Sequence, residues 1–305
     1  AIRNDFQSAG WETVVTDERL EKTTLIGGCG AYGLVIAPEE VVMYWKLYEP
    51  FRNHDIRLLN CDDASTAMAA DKLKMFHLWS LNDVCTPVTI LLDGFGSLPP
   101  VFQGPSVMKE RRGTGSQNMY LCHNKREQKK AFMRYVAEHA SVPINQEFID
   151  GQSASIAFLV GPNQTIPLRA AFQNVSDDGC FHYLGGCVPI ATDLEARAVN
   201  LGLKAIQCVP GLLGYIGVDL VFNPYGLENR DNAIEINPRL TTSYVGLRAL
   251  SDFNLAQAMI DVVEGRPDDY IKWKPGRVRF WPDGRVEYDP SGVDYLINKW
   301  YTPLK

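Results

Sequence analysis

Two short segments in the carboxyl-terminal third of the chain contain the side chains best suited to chemistry. Residues 217–222 and residues 233–239 are both apolar runs interrupted by acidic or amide side chains, and both predict β-strands. Because side chains alternate along a strand, Glu235 and Asn237 share one face of the second strand. Asp219 lies on the face of the first strand that is opposite its apolar neighbours. Two carboxylates and an amide therefore project from strands that are close together in the sequence.

Carboxylates on a sheet face are costly to bury unless a cation or a hydrogen-bonding partner compensates them. Mg²⁺ meets that demand, because it prefers carboxylate and amide oxygens and is usually completed by substrate phosphates. One glutamate can also bridge two such ions. The alternative is a structural salt bridge, in which Arg239 pairs with Asp219 or Glu235. The strands alone leave both interpretations open.

A second group of candidates surrounds Lys109, which ends an apolar strand and precedes the glycine-rich segment Arg111 to Ser116. Backbone N–H groups of such a loop could fold over phosphates while the lysine supplies a positive charge. An ordinary hairpin turn would explain the glycines equally well. The segment is not a P-loop, because no Gly-Lys-Ser or Gly-Lys-Thr ends it. It also differs from the protein kinase pattern, in which the glycine loop precedes the strand lysine.

The elements that must position these residues follow from hydrophobic periodicity. Strands alternating with helices predict a small parallel α/β unit over residues 1–87, which begins inside an element and is expected to lack a preceding strand. One continuous helix is predicted from Ala64 to Leu81. A strand, glycine loop, strand and a helix over 125–138 predict a compact lobe over residues 88–150. A strand-rich pattern, with helices over 194–208 and 255–263 and a terminal hairpin over 277–288, predicts a further lobe over residues 151–305.

Composition restricts the class of protein further. The chain has 305 residues, of which 46% are hydrophobic and 22% are charged, so it is long enough for more than one lobe and is not disordered. The net charge of −6 argues against binding to nucleic acid. The apolar runs are too short for a bilayer span, and the seven scattered cysteines predict reduced thiols. We therefore expect a cytoplasmic protein without nucleic-acid or membrane partners.

Four motifs occur in the order and spacing of a known superfamily. They are Asp71-Lys72, Val107-Met108-Lys109 with the glycine loop, the segment 145–151, and Asp219 with Glu235-Ile236-Asn237-Pro238-Arg239. Together they resemble the ATP-grasp superfamily of carboxylate-amine ligases, over about residues 58–265. The resemblance implies a mixed α/β (α+β) ATP-grasp fold with an N-terminal parallel α/β domain, a small ATP lobe and a C-terminal antiparallel-sheet lobe.

The resemblance also implies roles for individual residues. Lys72 and Lys109 would contact ATP phosphates, and Arg239 would act with Lys109 on the transferring phosphate. Asp219, Glu235 and Asn237 would bind two Mg²⁺ ions, with Mn²⁺ as an alternative. The remaining nucleotide contacts would come from the glycine loop and the linker between the lobes, namely Gly113, Thr114, Gly115, Ser116, Gln146, Glu147, Phe148 and Ile149.

Within the superfamily, the stretch Glu235 to Leu247 is similar to the tyramine-glutamate ligase group linked to methanofuran biosynthesis, and its extension Thr241 to Gly246 is the most specific part. The resemblance implies that ATP activates a carboxylate as an acyl phosphate, which an amine then captures; glutamate with tyramine or a related amine is one candidate pair. Candidates for holding these small substrates are Arg169, Tyr183, Ser243 and Tyr244.

Two alternative functions stay open. One is an ATP-grasp protein that binds nucleotide without turnover, as a regulatory or partner subunit, and the other is an enzyme that uses another nucleophile such as a thiol. Assembly as a homodimer is a further expectation.

Overall fold

The computed structural model of the protein describes residues 1–13, 31–36, 56–93, 102–113, 118–223, 225, 230–266 and 269–291. The sequence also predicts a strand at 12–16, a turn at the glycines of 27–30 and a helix through 41–48. These three segments lie wholly or mostly outside the described ranges.

The N-terminal region contributes a helix and a small parallel pair of strands. Helix α1 spans Ile2–Ser8, and strand β1 (Tyr32–Gly33) pairs in parallel with strand β2 (Arg57–Leu58). The predicted parallel arrangement is therefore present in the described part of this region, although each strand has only two residues.

The prediction of one helix from Ala64 to Leu81 is wrong, because the structure has two helices in this segment. Helix α2 spans Asp63–Ala69, and helix α3 spans Lys72–Leu81. Asp71 lies between them in an extended conformation, and its side chain accepts a hydrogen bond from the backbone N–H of Lys74. This is the N-cap arrangement that starts a new helix, and the periodicity of the apolar residues does not reveal it.

A four-stranded antiparallel sheet forms a small lobe. Its strands, in spatial order, are β3 (Thr89–Leu91), β6 (Pro143–Glu147), β4 (Ser106–Glu110) and β5 (Tyr120–Cys122). Helix α4 (Lys125–Glu138) packs against the sheet, and Met108, Ala131 and Tyr135 are buried between them. Since strand side chains alternate, the burial of Met108 under α4 places Lys109 on the opposite face of the sheet.

A larger, entirely antiparallel sheet forms the second lobe. Seven of its strands follow the order β12-β11-β7-β9-β10-β13-β14, and β8 pairs with β7. Their bounds are β7 Gln152–Val160, β8 Thr165–Pro167, β9 Ala171–Val175, β10 Tyr183–Val188, β11 Gly214–Phe222, β12 Asn232–Asn237, β13 Arg277–Phe280 and β14 Val286–Asp289. The hairpin predicted at the end of the chain is confirmed as β13 and β14.

Helices cover both faces of this sheet. Helix α5 (Thr192–Gln207) contributes to the core on one face, and helices α6 (Ser243–Leu250) and α7 (Leu255–Val263) contribute to the core on the other. Strand β7 is apolar from Ile156 to Val160 because alternate side chains of this part enter the two cores. Helix α6 was not expected from the sequence.

Helices α2 and α3 also join the core under α5, through Ala69, Met75 and Trp79. These residues belong to the N-terminal unit predicted over 1–87, but their side chains pack against the large sheet. The domain boundaries at residues 87 and 150 remain predictions. Within the described ranges, no helix has the length and apolar character needed to cross a membrane.

Replacement of Trp79 by Ala tests the packing of α3 against the large lobe. Trp79 is 1% exposed, and its indole N–H donates to the carbonyl of Ala205 at 3.0 Å. We expect the free energy of unfolding, measured by urea denaturation, to fall by about 3–5 kcal/mol. The matched control is Leu81→Ala on the same helix, because Leu81 is 83% exposed and its loss should cost less than about 0.5 kcal/mol. Equal effects of the two substitutions would contradict this packing.

Candidate active site

One cleft lies between the small sheet and the large sheet and receives residues from both. It has a volume of about 620 Å³. The residues at its charged end are Lys72, Lys109, Asp219, Glu235, Asn237 and Arg239. Its apolar lining includes Val107, Phe148, Ile149, Leu220 and Ile234. The cleft therefore has one charged and one apolar region, as a ligand with both kinds of surface requires.

The side chains of Asp219, Glu235 and Asn237 meet at the charged end of the cleft because strands β11 and β12 are neighbours. Asp219 lies directly opposite Glu235 in the antiparallel register, and Gly217 lies opposite Asn237. The Nδ2 of Asn237 donates to Asp219 at 2.9 Å. The predicted convergence of two carboxylates and an amide is thus present in the geometry.

A bulge in β12 corrects one detail of the predicted alternation. The register shifts after Asp219, so that Leu220 pairs with Ala233 and Ile234 is the extra residue. Ile234 and Ile236 were expected to share a face, but Ile236 lies in the core whereas Ile234 lines the cleft. A bulge leaves one residue unpaired and redirects its side chain, and this one adds apolar surface beside the carboxylates.

The carboxylate of Asp219 is held in an environment that disfavours its charge. Burial raises its pKa to about 6, and the neighbouring Glu235 carboxylate adds to the increase. Hydrogen bonds from Asn237 and from Gln173, whose Nε2 lies 2.8 Å from Asp219 Oδ1, act in the opposite direction. Two adjacent carboxylates supply the oxygen ligands that a hard divalent cation favours.

Two lysines from different elements approach these carboxylates. Lys72, the first residue of α3, lies 3.3 Å from Glu235 through its Nζ and also donates to the carbonyl of Gly113 at 2.6 Å. Lys109, near the end of β4, is buried. Burial, together with the nearby Lys72 ammonium, lowers the pKa of Lys109 to about 8, and the carboxylates of Glu235 and Asp219 oppose this shift. The cleft therefore combines lysine cations with the carboxylate pair.

Arg239 and a group of hydroxyls lie beyond the carboxylates. Arg239 donates to Asn237 Oδ1 and to the carbonyl of Leu240, each at 3.3 Å. Thr241 and Ser243, at the start of α6, line the cleft and are hydrogen-bonded to each other at 2.7 Å. Tyr215 contacts both hydroxyls, at 3.2 Å and 3.1 Å. These hydroxyls form a polar wall next to the arginine.

The segment between the lobes also lines the cleft. Gln146 and Glu147 end β6, and Phe148 and Ile149 continue towards β7. The backbone N–H groups of Glu147 and Phe148 donate to the carbonyls of Val88 and Pro105, so they do not point at a ligand. The turn requires Gly151, because a Cβ there would lie 2.2 Å from the carbonyl oxygen of Phe222.

A second contact between the lobes closes the apolar end of the cleft. Gly179, in the loop between β9 and β10, accepts a backbone hydrogen bond from Leu121 of β5 at 3.1 Å. Phe181 in the same loop stacks on Phe148, with ring centroids 5.9 Å apart. The lobes therefore meet both through the linker and through this loop.

Some of the predicted site residues lie elsewhere or cannot be placed. Thr114, Gly115 and Ser116 fall outside the described residues, whereas Gly113 lines the cleft. Tyr183 and Ser243 also line it. Two other candidates for holding substrate are corrected: Arg169 pairs with Glu195 at 2.9 Å, and Tyr244 is buried with its hydroxyl donating to Asp5. Neither belongs to the described lining of the cleft, because each is used in packing the large lobe.

Sequence reasoning missed Gln173, Thr241 and Tyr215. Gln173 lies on β9, which is separated from β11 by β7, and nothing in the spacing of the sequence predicts that order of strands. The two polar residues Gln173 and Asn174 within the short strand β9 are the only signal that could have drawn attention to Gln173.

Comparison with known proteins places this architecture in a family. The profile of the ATP-grasp domain matches residues 69–243, which is more than half of the chain. The chain therefore belongs to the ATP-grasp family.

Individual relatives refine the comparison. A tyramine–L-glutamate ligase of Methanocaldococcus jannaschii is 29% identical over 229 residues, which cover 75% of this chain and 61% of that protein. The chain thus spans less than two thirds of the length of this curated relative.

Solved structures share the fold at lower identity. The biotin carboxylase of Campylobacter jejuni has a TM-score of 0.66 at 16% identity, covering 82% of this chain and 57% of that one. The L-amino acid ligase of Bacillus licheniformis has a TM-score of 0.63 at 15% identity, covering 76% of this chain and 57% of that one. These likenesses concern the fold alone.

The electrostatics of Asp219 predict a pH-dependent effect of the substitution Asp219→Asn in metal-free protein. Because the pKa of Asp219 is raised in the folded state, protonation of this group favours folding. That contribution is complete below the ordinary aspartate pKa and is lost as the pH rises through about 6. Between about pH 4 and about pH 7, the stability of the variant relative to the parent should therefore increase, by about 1–2 kcal/mol.

The measurement is urea denaturation of both proteins at the two pH values in the presence of a chelator. Taking the difference between variant and parent removes the titration of the groups that do not interact with Asp219. A difference that stays constant with pH would show that Asp219 does not carry the raised pKa.

Proposed function

We propose that this chain is the nucleotide-binding and catalytic part of an ATP-dependent ligase that joins a carboxylate to an amine. The observation that carries the proposal is the charged end of the cleft, where Lys72, Lys109 and Arg239 surround two carboxylates and an amide. Phosphoryl transfer asks a protein mainly for positioning and for compensation of charge, and this group of side chains supplies both. Membership of the ATP-grasp family supports the same conclusion.

The proposed substrates are glutamate as the acid and tyramine or a related amine. The support is the similarity to the tyramine–L-glutamate ligase of Methanocaldococcus jannaschii. On this proposal the enzyme would act in the cytoplasm, in methanofuran biosynthesis.

Asp219, Glu235 and Asn237 would hold Mg²⁺, because the pairing of β11 with β12 brings their side chains together. Glu235 would be the shared ligand if two ions bind. When bound, Mg²⁺ compensates phosphate charge and aligns the triphosphate. Lys109 and Arg239 would then stabilise the charge that moves onto the transferring phosphoryl group. No side chain is needed as a nucleophile, because the substrate carboxylate attacks the phosphate and the amine attacks the resulting acyl phosphate.

The apolar end of the cleft would receive the adenine ring between Val107, Ile149 and Leu220. Since the N–H groups of Glu147 and Phe148 already have partners, the backbone of Ile149 and carbonyl groups of the linker would make the contacts to the adenine edge.

The hydroxyls of Thr241 and Ser243, next to Arg239, are suited to binding the acid or the amine.

The direct test is an assay of ADP release and product mass. Glutamate with tyramine, and panels of other acids and aromatic or aliphatic amines, are incubated with MgATP, with reactions lacking the acid or the amine as controls. We expect ADP, phosphate and an amide in equal amounts for at least one pair. Binding of ATP without amide formation for every pair would contradict ligase activity and favour a nucleotide-binding protein without turnover. A thioester product would instead indicate a thiol acceptor.

The metal assignment predicts that Glu235→Ala abolishes ligation. Removal of a bridging carboxylate should lower kcat by at least about 10³-fold, because several kcal/mol of charge stabilisation are lost. The control is Glu287→Ala, since the side chain of Glu287 is 63% exposed on β14, away from the cleft. Full activity of the Glu235 variant at saturating Mg²⁺ would refute the assignment.

A further inference from the structure

The loop between β9 and β10 brings together three side chains that can bind a metal ion. Asp178, Cys180 and His182 each offer one ligand atom, and these three atoms lie within 4.8 Å of one another. In an extended segment, Asp178 and His182 would be about 13 Å apart, because a strand rises about 3.3 Å per residue. The loop therefore curves tightly enough to gather a carboxylate, a thiol and an imidazole.

Two residues with a left-handed backbone produce this curvature. Gly179 has a φ of 79°, and Phe181 has a φ of 54°. Glycine adopts such a conformation readily, whereas a bulky residue such as phenylalanine does so rarely. The ring of Phe181 stacks on Phe148 of the interlobe linker, with centroids 5.9 Å apart. Contacts on the cleft side of the loop thus accompany the unusual backbone.

The loop presents different residues to the cleft and to the solvent. Asp177, Gly179 and Phe181 line the cleft, whereas the three ligand residues between and after them are not part of its described lining. The side chains of Asp178 and His182 are 51% and 61% exposed, and Cys180 is partly exposed. An ion can therefore reach the three ligand atoms directly from solvent.

Hydrogen bonds hold the carboxylate of Asp178 in place. Its Oδ1 accepts from Ser176 Oγ at 2.6 Å and from the backbone N–H of Cys180 at 2.9 Å. These two bonds keep the pKa of Asp178 below its ordinary value, so the carboxylate is charged at neutral pH. The other oxygen, Oδ2, lies 4.0 Å from His182 Nε2. One oxygen thus anchors the loop while the other faces the imidazole.

The types of ligand determine the class of ion. Zn²⁺ and similar borderline-soft cations bind thiolate and imidazole, whereas Mg²⁺ prefers oxygen. Four-coordinate Zn²⁺ keeps its ligand atoms about 3.3–3.8 Å apart, so the three atoms need to approach by about 1.5 Å at most. A carboxylate and a thiolate carry two negative charges, which one divalent cation neutralises.

We propose that Asp178, Cys180 and His182 bind one Zn²⁺ or a chemically similar cation, with water as the fourth ligand. On binding, the thiol of Cys180 gives its proton to solvent and its sulfur bonds to the metal. The ion would fix the loop at the point where it meets the small lobe, since the carbonyl of Gly179 accepts from the N–H of Leu121. This inference does not depend on the proposed ligase function.

The test uses the full chain after removal of metal, with a non-thiol reductant and excess Mg²⁺. Co²⁺ is titrated as a probe, because thiolate ligation gives a charge-transfer band, and the Kd for Zn²⁺ is measured by competition with a chelating dye. The variants are Cys180→Ala, His182→Ala and Asp178→Asn. The matched controls are Cys208→Ala, a partly exposed thiol on another element, and His77→Ala, an exposed imidazole on α3.

We expect the parent to bind one Co²⁺ with a thiolate band, and Zn²⁺ but not Mg²⁺ to displace it. Cys180→Ala should abolish the band. Cys180→Ala and His182→Ala should each weaken Zn²⁺ binding by at least about 100-fold, because loss of even a hydrogen-bonding partner of a ligand costs about 10–100-fold. Asp178→Asn should also weaken binding, and both controls should keep the parent Kd.

A thiolate band that persists in Cys180→Ala would overturn the inference. So would a parent Kd for Zn²⁺ that is no tighter than the values of Cys180→Ala and His182→Ala. The melting temperature in chelator checks that each variant is folded, and if Cys180→Ala is not, His182→Ala decides. Because no product is measured, absence of ligase activity in the same protein would count against the proposed function alone.

Discussion

Electrostatic balance at the charged end of the cleft connects the two lobes. Asp219 and Glu235 lie opposite each other on neighbouring strands, where burial and their mutual repulsion raise the pKa of Asp219. Cations stabilise such a pair, and the chain brings Lys72 from a helix and Lys109 from the small sheet. The carboxylates of the large sheet and a lysine of the small sheet thus line the same cleft. A triphosphate with divalent ions is a ligand that can use both sets of charge.

Local features of the backbone bring the charged side chains together. The antiparallel register of β11 and β12 places the carboxylates of Asp219 and Glu235 opposite each other. The bulge at Ile234 directs an apolar side chain into the cleft beside these carboxylates. The break before α3 places Lys72 at a helix start, where it can reach both Gly113 and Glu235. The bulge and the helix break are small interruptions of regular structure, and both lie where the charged side chains meet.

The sequence predicted the parts of this arrangement that depend on local pattern. Alternation along β11 correctly placed Asp219 on the face of the strand opposite Val218 and Leu220. The spacing of apolar residues predicted helices α4 and α7 with their observed bounds. It failed where a single polar residue overrides the pattern, as at Asp71, and where a bulge changes the phase, as at Ile234. It also missed Gln173, because the neighbour of a strand in a sheet is determined by tertiary pairing rather than by spacing.

The most direct test is a crystal structure of the protein with Mn²⁺ and a non-hydrolysable ATP analogue, in which anomalous scattering locates the ions. The account predicts Mn²⁺ bound by the oxygens of Asp219, Glu235 and Asn237, with the phosphates between these ions and the lysines. Ions bound elsewhere in the cleft, or an analogue bound with its phosphates away from Lys72 and Lys109, would contradict it.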